Sequence, residues 1–183
     1  MTEKDTVNIK QELKKALPFI TIIILVCLAN KFLIFNTTIP TSSMVSTLNI
    51  GDCLFGNRLA YIFSNPKRGD IITFKVPDDK DTIYVKRIIG IEGDTIKINN
   101  GYVWRNNELL NEEYIHEPMN HDGFSEVFEV PKGCVFVMGD NRNNSFDARY
   151  WNNHYVSKDK IISKLGMKYY DGEKKQFCIK WVR

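Results

Sequence analysis

Histidine and cysteine are scarce in this sequence of 183 residues, which has three histidines and four cysteines. No two cysteines form a Cys-x-x-Cys pair, and the few histidines complete no zinc-binding pattern, so we predict no metal site. Cys27 lies in an apolar segment, which leaves three cysteines elsewhere. At most one disulfide can form among these three, and the sequence does not select the pair: Cys53, Cys134 and Cys178.

A strongly basic surface pattern is also missing. The net charge is +3 and the lysines are scattered, without a basic stripe interleaved with aromatic residues. Nucleic-acid-binding domains concentrate such charge on one face, so we predict no nucleic-acid partner. Internal repeats and low-complexity linkers are absent too, and the length suits about one domain besides a short N-terminal segment.

One long apolar run, ALPFITIIILVCLANKFLIF, covers residues 16–35. A helix of this length spans a hydrocarbon core of about 30 Å. Lysines precede the run, and after Lys31 no lysine or arginine occurs until Arg58. The positive-inside rule then predicts a single-pass protein of the cell membrane with three parts. These are a cytoplasmic tail (1–15), a transmembrane anchor (16–35) and an extracytoplasmic β catalytic domain (36–183).

Two other interpretations of the apolar run remain open. A cleavable signal peptide also has a basic start and an apolar stretch, and Cys27-Leu28-Ala29 offers small residues at a plausible cleavage position. A buried core helix is the other alternative. The length of the run and the weakness of the cleavage signal favour the retained anchor.

The rest of the sequence is mostly typical of strands. IITFKV (71–76) and TIYVKRIIGI (82–91) are rich in β-branched and aromatic residues. Asn100-Gly101 between alternating apolar positions indicates a hairpin, and Asp171-Gly172 marks another near the C-terminus. NRLAYIF (57–63) alone is either a short helix or a further strand. We therefore predict a mainly β protein, with one all-β domain after the N-terminal segment.

The segment IFNTTIPTSSMVSTLNIGD (34–52) holds four threonines and three serines. A serine nucleophile needs a base, which is usually histidine. None of the histidines has a suitable context, since His116 and His121 flank a polar loop and His154 follows two asparagines. A lysine can serve instead if burial lowers its pKa from about 10.4 to about 7–8.

Lys86 is the best candidate for such a lysine. On a strand, Tyr84 and Ile88 share its face, so an aromatic and an aliphatic side chain flank the amine. Lys75 is a poorer candidate, next to a proline-ended strand, and Arg87 cannot act as a base because its pKa is too high. The alternative interpretation of Lys86 is an exposed lysine of an edge strand.

A third stretch, MGDNRNNSFDARYW (138–151), gathers charged and amide side chains in a turn-prone run. A hydrogen-bonded surface loop is one interpretation. The other is a polar network that closes a site, with Ser145 near the base and Asp147 paired with Arg142 or Arg149.

These three stretches, in this order after the apolar run, resemble the bacterial type I signal peptidases, the leader peptidase family with a Ser-Lys dyad. Residues 40–48 resemble the serine box of that family and are followed by Gly51-Asp52. Arg68-Gly69-Asp70 and Tyr84-Val85-Lys86-Arg87 resemble the lysine box. Residues 139–151 resemble the last box, which runs from Gly-Asp-Asn-Arg to Tyr-Trp.

The resemblance implies a role for each matched residue. Ser43 is the nucleophile and Lys86 the general base, while the Ser43 backbone N–H and the Thr41 hydroxyl form the oxyanion hole. Ser145 hydrogen-bonds Lys86. The charged residues of the last box support the site by ion pairing: Asp140, Arg142, Asp147 and Arg149. The remaining hydroxyls of residues 34–52 are expected to form a solvated linker.

The activity that the resemblance implies is a membrane-anchored serine endopeptidase that uses no metal or other cofactor. Its partners are membrane lipid and secretory preproteins, whose signal peptides it removes after small residues in an Ala-x-Ala pattern. A self-cleaving Ser–Lys protease and an inactive tethered module are weaker alternatives. Glu92 stands where many family members have proline, and its charge would raise the pKa of Lys86 if the two approached.

Overall fold

The structure is a computed structural model that describes residues 3–77, 79–121 and 123–182. These residues form one α-helix, α1 (Glu3–Phe32), and twelve strands. The first six strands are β1 (Ile34–Thr38), β2 (Cys53–Asn57), β3 (Ile71–Val76), β4 (Asp79–Ile91), β5 (Thr95–Asn99) and β6 (Tyr102–Arg105). The others are β7 (Glu108–Leu109), β8 (Ser125–Glu129), β9 (Cys134–Met138), β10 (Val156–Ser157), β11 (Ile161–Asp171) and β12 (Gln176–Trp181).

The chain divides into two compact units, residues 1–34 and residues 35–183. The first unit is largely helix α1, along which apolar side chains such as Phe19 and Ile23 are exposed. Across the described residues, no helix combines the length and the apolar character that crossing a membrane requires. The anchor over 16–35 and the tail over 1–15, whose residues 1 and 2 lie outside the described part, stay predictions.

The second unit is built from two antiparallel sheets, which confirms the mainly β prediction. The larger sheet has eight strands in the order β1-β2-β11-β3-β4-β9-β10, with β12 also paired to β11. The smaller sheet has four strands in the order β7-β6-β5-β8. Strand β3 lies between β11 and β4 and is buried at every position except Lys75, which explains its almost continuous apolar sequence.

The apolar residues of both sheets form the main core. Phe74 and Ile88 of the larger sheet and Ile96 and Phe128 of the smaller sheet belong to this one buried cluster. The alternation along β5 follows from the cluster, because Ile96 and Ile98 face the core whereas Lys97 between them is exposed. The smaller sheet is thereby packed against the larger one.

A second, smaller core lies under the segment that follows β1. Met44 and Leu48 of this segment are buried with Leu54 of β2 and Leu165 of β11. Their burial fixes the path of the loop that carries the candidate serine, since two large side chains of the loop are inserted between strands.

The turn predictions are confirmed where the backbone demands special residues. Asn100 and Gly101 join β5 to β6 with φ angles of 54° and 78°, as a two-residue hairpin turn requires. The C-terminal hairpin pairs β11 with β12, and Asp171, at the end of β11, lies opposite Gln176.

Several local predictions were wrong. Helix α1 ends at Phe32 and β1 begins at Ile34, so the apolar run is not helical as far as residue 35. NRLAYIF is neither a helix nor a strand, because β2 ends at Asn57 and turns follow. The solvated linker is in part strand β1. The disulfide question, which the sequence left open, is answered separately: all four cysteines are free.

Candidate active site

Ser43 lies in the loop between β1 and β2, directly before the buried Met44. Asn141 supplies two of the hydrogen bonds that connect this loop to the loop after β9. The Asn141 backbone N–H donates to the Ser43 carbonyl at 3.1 Å, and the Asn141 side chain donates to the Ser42 carbonyl at 3.1 Å. The position of Ser43 is therefore fixed both by the small core, into which Met44 is inserted, and by the hydrogen bonds from Asn141.

Lys86 reaches Ser43 from strand β4. Its Nζ lies 2.6 Å from the Ser43 Oγ, and the two residues are only 4% and 9% exposed. The face predicted from alternation is present, since the amine lies 5.3 Å from the centre of the Tyr84 ring and Ile88 is buried. This is the contact that a base needs in order to accept the proton of the hydroxyl.

Burial lowers the pKa of Lys86 from 10.5 to about 8. Asp147 and Asp140 act in the opposite direction, while the positive charge of Arg149 lowers the pKa further. The charges that act on the amine are those of Asp147, Arg149 and Asp140, whereas the Glu92 carboxylate accepts a hydrogen bond from the Gly133 N–H at 2.9 Å. The concern that Glu92 would weaken the base is thus removed.

Asp147 organises the last box from a fully buried position. Its carboxylate accepts hydrogen bonds from Arg149 Nε at 2.8 Å, from the Ser145 hydroxyl at 2.8 Å and from the Gly139 N–H at 2.9 Å. Burial by itself would raise the pKa of Asp147, but these bonds and the Arg149 charge hold it below its ordinary value. Asp147 is therefore ionised and strongly fixed.

The hydrogen bond that the resemblance implies between Ser145 and Lys86 is not formed, so that prediction was wrong. The Ser145 hydroxyl donates to Asp147, whereas Lys86 has the Ser43 hydroxyl as its partner. A buried carboxylate is a stronger acceptor than an amine, which explains the choice. Asp147 pairs with Arg149, one of the two arginines considered, and not with Arg142.

Two further ion pairs flank the site. Arg87 of β4 donates two hydrogen bonds to the Asp140 carboxylate, of 2.8 and 2.7 Å, and the Thr47 hydroxyl donates to the same carboxylate at 2.5 Å. Arg142 donates two hydrogen bonds to the Glu112 carboxylate, of 2.7 and 2.6 Å. No local pattern indicated a role for Glu112, because the pair joins residues 30 positions apart.

A cleft with a volume of about 460 Å³ opens beside Ser43 and Lys86. Residues 37–43 line one side and residues 82–86 the other, with Asn144 and Phe146 also contributing. The Thr41 hydroxyl lies 3.4 Å from the Ser43 Oγ, so it stands beside the reactive oxygen.

Comparison with known proteins places the chain in a family. The model of the family described as "Signal peptidase, peptidase S26" matches residues 13–170. The chain belongs to this family. The signal peptidase family consists of serine endopeptidases, so the chain is an enzyme of that class.

Individual relatives carry related names. The probable signal peptidase I-1 of Synechocystis sp. is 38% identical over 149 residues, which cover 77% of this chain and 75% of that protein. The chloroplastic thylakoidal processing peptidase 1 of Arabidopsis thaliana is 36% identical over 124 residues, which cover 62% of this chain and 36% of that longer protein. Among solved structures, a signal peptidase I from Enterococcus faecalis matches with a TM-score of 0.49 and 27% identity, over 56% of this chain and 97% of that chain.

The lowered pKa of Lys86 predicts how peptide cleavage by this signal peptidase family member depends on pH. Only the neutral amine can accept the Ser43 proton, so kcat/KM should rise about tenfold per pH unit below the pKa and level off above it. The pKa of about 8 places the bend near that pH. The measurement is kcat/KM of a fluorogenic peptide across the range of pH in which the enzyme stays folded. A rate that falls as the pH rises through this region would contradict the assignment.

Proposed function

We propose that the chain removes signal peptides from secretory preproteins by means of a Ser43–Lys86 dyad. The observation that carries this proposal is the 2.6 Å contact between the Ser43 Oγ and the buried Lys86 Nζ. The same contact would have no evident use in a binding module, because burying an amine without a carboxylate partner costs free energy.

The reaction follows from the positions of these groups. Neutral Lys86 accepts the Ser43 proton while the Oγ attacks the substrate carbonyl, and the protonated amine then donates to the departing amino group. The Ser43 N–H and the Thr41 hydroxyl stabilise the oxyanion. Lys86 next accepts a proton from water while the water oxygen attacks the acyl-enzyme, and it returns that proton to the Ser43 Oγ as the bond between the Oγ and the carbonyl carbon breaks, which restores the dyad.

The substrate binds as an additional strand beside β4. In the described residues, 83–86 of β4 pair with β3 on one edge, whereas pairing with β9 begins only at Arg87. The other edge of 83–86 faces the cleft and offers backbone groups to an extended peptide. Pockets of this narrow cleft accept small residues at the first and third positions before the cut, which gives the Ala-x-Ala preference.

Attachment to the membrane completes the proposal. Helix α1 presents exposed apolar side chains over more than two turns, and the lysine asymmetry around it favours a cytoplasmic N-terminus. A signal peptide is itself held in the bilayer, so anchoring the enzyme there raises the effective concentration of one for the other. The expected result is recovery of the full chain in the membrane fraction after carbonate washing. Recovery in the soluble fraction would contradict this part of the proposal.

The activity is tested with a synthetic preprotein that contains an Ala-x-Ala site, incubated with the purified full chain. We expect one cut directly after the second alanine, identified by mass spectrometry of both fragments. A substrate with leucine in place of both alanines is the matched control and should remain uncut. Cleavage of both substrates, or of neither, would contradict the proposed specificity or the proposed activity, respectively.

A further inference from the structure

The connection between β7 and β8 joins two strands of the smaller sheet, yet it contacts the loop that follows β9 of the larger sheet (residues 139–155), here called the catalytic loop. We propose that residues 112–119 of this connection, here called the brace, hold the Ser43–Lys86 dyad in its reactive geometry, with Glu112 and Tyr114 as positioning residues. The proposal rests on the proposed function for its kinetic consequences, but its structural basis is independent of the substrate.

Glu112 fixes the first of two arginines. Its carboxylate accepts hydrogen bonds from both terminal nitrogens of Arg142. The Glu112 side chain is only 9% exposed and the Arg142 side chain only 1%. The Arg142 Nε donates to the Gly139 carbonyl at 3.1 Å, so the ion pair is connected directly to the loop after β9. A buried bidentate pair of this kind sets direction as well as distance.

Tyr114 connects that ion pair to the strand that bears Lys86. Its hydroxyl donates to Glu112 at 2.8 Å, and its ring lies 4.1 Å from the guanidinium carbon of Arg87 and 5.9 Å from that of Arg142. Arg87 is the immediate neighbour of Lys86 on β4. One aromatic side chain therefore lies beside both the arginine next to Lys86 in β4 and the arginine that bonds the Gly139 carbonyl.

Other contacts continue along the brace. The His116 N–H donates to the Asp140 carbonyl at 3.2 Å, and the Asn143 side chain donates to Glu117 at 2.9 Å. Met119 is buried, and its sulfur lies 3.2 Å from the Arg149 Nη1. With the Glu112–Arg142 pair included, residues 112–119 therefore contact four residues of the catalytic loop: Asp140, Arg142, Asn143 and Arg149.

The contacts of the brace affect the dyad through Gly139 and through the charged groups that surround Lys86. Through Arg142 the brace holds Gly139, whose N–H bonds Asp147, one of the charges that act on Lys86. Asp147, Arg149 and Asp140 are the charged groups that act on this amine, and the brace contacts the residues that hold all three. Releasing the brace should let the catalytic loop move and admit water to Lys86.

The test uses three substitutions in the full chain. Glu112→Gln removes the negative charge with little change in shape, and Tyr114→Leu removes the ring without leaving a buried charge unpaired. Glu113→Gln is the matched control, since this neighbouring carboxylate is exposed and outside the brace contacts described above. Folding of each variant is measured by circular dichroism and thermal unfolding before kinetics.

Glu112→Gln and Tyr114→Leu should each lower kcat by about tenfold or more at unchanged KM, because misplaced reacting groups cost turnover rather than binding. The bend of the pH profile should move from about 8 towards the ordinary lysine value of 10.5. Glu113→Gln should match the wild type in both. A merely structural role would instead lower the folded fraction and leave the pH profile in place, and that result would overturn the proposal.

A second measurement separates this proposal from the proposed function. The titration of Lys86 is followed by nuclear magnetic resonance of isotope-labelled lysine, with the signal assigned by its loss in Lys86→Met. A higher midpoint in Glu112→Gln or Tyr114→Leu supports the brace even if no preprotein is cut. Unchanged midpoints in both folded variants would overturn the brace even if the wild type is an active peptidase. If Glu112→Gln does not fold, Tyr114→Leu decides.

Discussion

Ser43→Ala should abolish peptide cleavage, with a loss in kcat of at least about 10³-fold, because the proposed mechanism assigns the formation of the acyl-enzyme to Ser43. The Ser43 Oγ is the atom that Lys86 contacts at 2.6 Å. Lys86→Met should cause a loss of similar size, since the serine then has no base. Methionine fills much of the same volume, and replacing a buried amine with an apolar group does not by itself destabilise the fold.

Matched controls make this result specific to the dyad. Ser46→Ala changes an exposed serine of the same loop, and Lys75→Met changes an exposed lysine on the adjacent strand β3. Both should retain wild-type kcat. Activity that survives in Ser43→Ala would show that another serine is the nucleophile. Ser42 would then be the next candidate, although its hydroxyl accepts a hydrogen bond from Asn144 at 2.9 Å.

Gly139→Ala should be the second most damaging substitution, with a loss in kcat of about 10²-fold or more from displacement of the reacting groups. A β-carbon at this position would lie 2.5 Å from the Ser43 carbonyl oxygen and would also collide with the Ser145 side chain. The carbonyl is backbone, so it can give way only if the loop that carries the nucleophile moves.

Gly166→Ala is the matched control for that substitution. Its β-carbon would meet only the Trp181 ring, at 3.6 Å, which is an ordinary contact. We expect normal kcat for Gly166→Ala, and for Gly139→Ala a loss larger than any decrease in the folded fraction, measured by circular dichroism. A fully active Gly139→Ala would show that the close approach of Gly139 to Ser43 is not required.

Local sequence was a good guide where the local pattern and the tertiary environment agree. Strand β3, the Asn100-Gly101 hairpin and the Tyr84–Lys86–Ile88 face were all predicted, because period-two alternation and positive φ are properties of the nearest residues. Strands β1 and β2 were missed. The sequence of β1 is rich in hydroxyl groups and that of β2 is short. Both segments form strands because a neighbouring strand supplies the hydrogen bonds.

The candidate site shows the same division. Ser43 and Lys86 could be selected from the motifs, and the structure places their reactive atoms together across 43 positions of sequence. Other features of the site could not be selected in this way. They are the partner of Ser145, the choice between Arg142 and Arg149 for Asp147, and the roles of Arg87 and Glu112. Each depends on which charged groups are buried side by side, and burial is decided by packing of distant strands.

By itself, then, the sequence determined the mainly β character of the chain, the family resemblance and the choice of Ser43 and Lys86 for the proposed dyad, since these follow from residue type, short-range periodicity and spacing within motifs. Only the tertiary structure decided the lowered pKa of Lys86 and the ion pairs that surround it. It also placed the segment of the smaller sheet that contacts the catalytic loop. These properties arise from desolvation and from contacts between residues far apart in the chain, which no local pattern encodes.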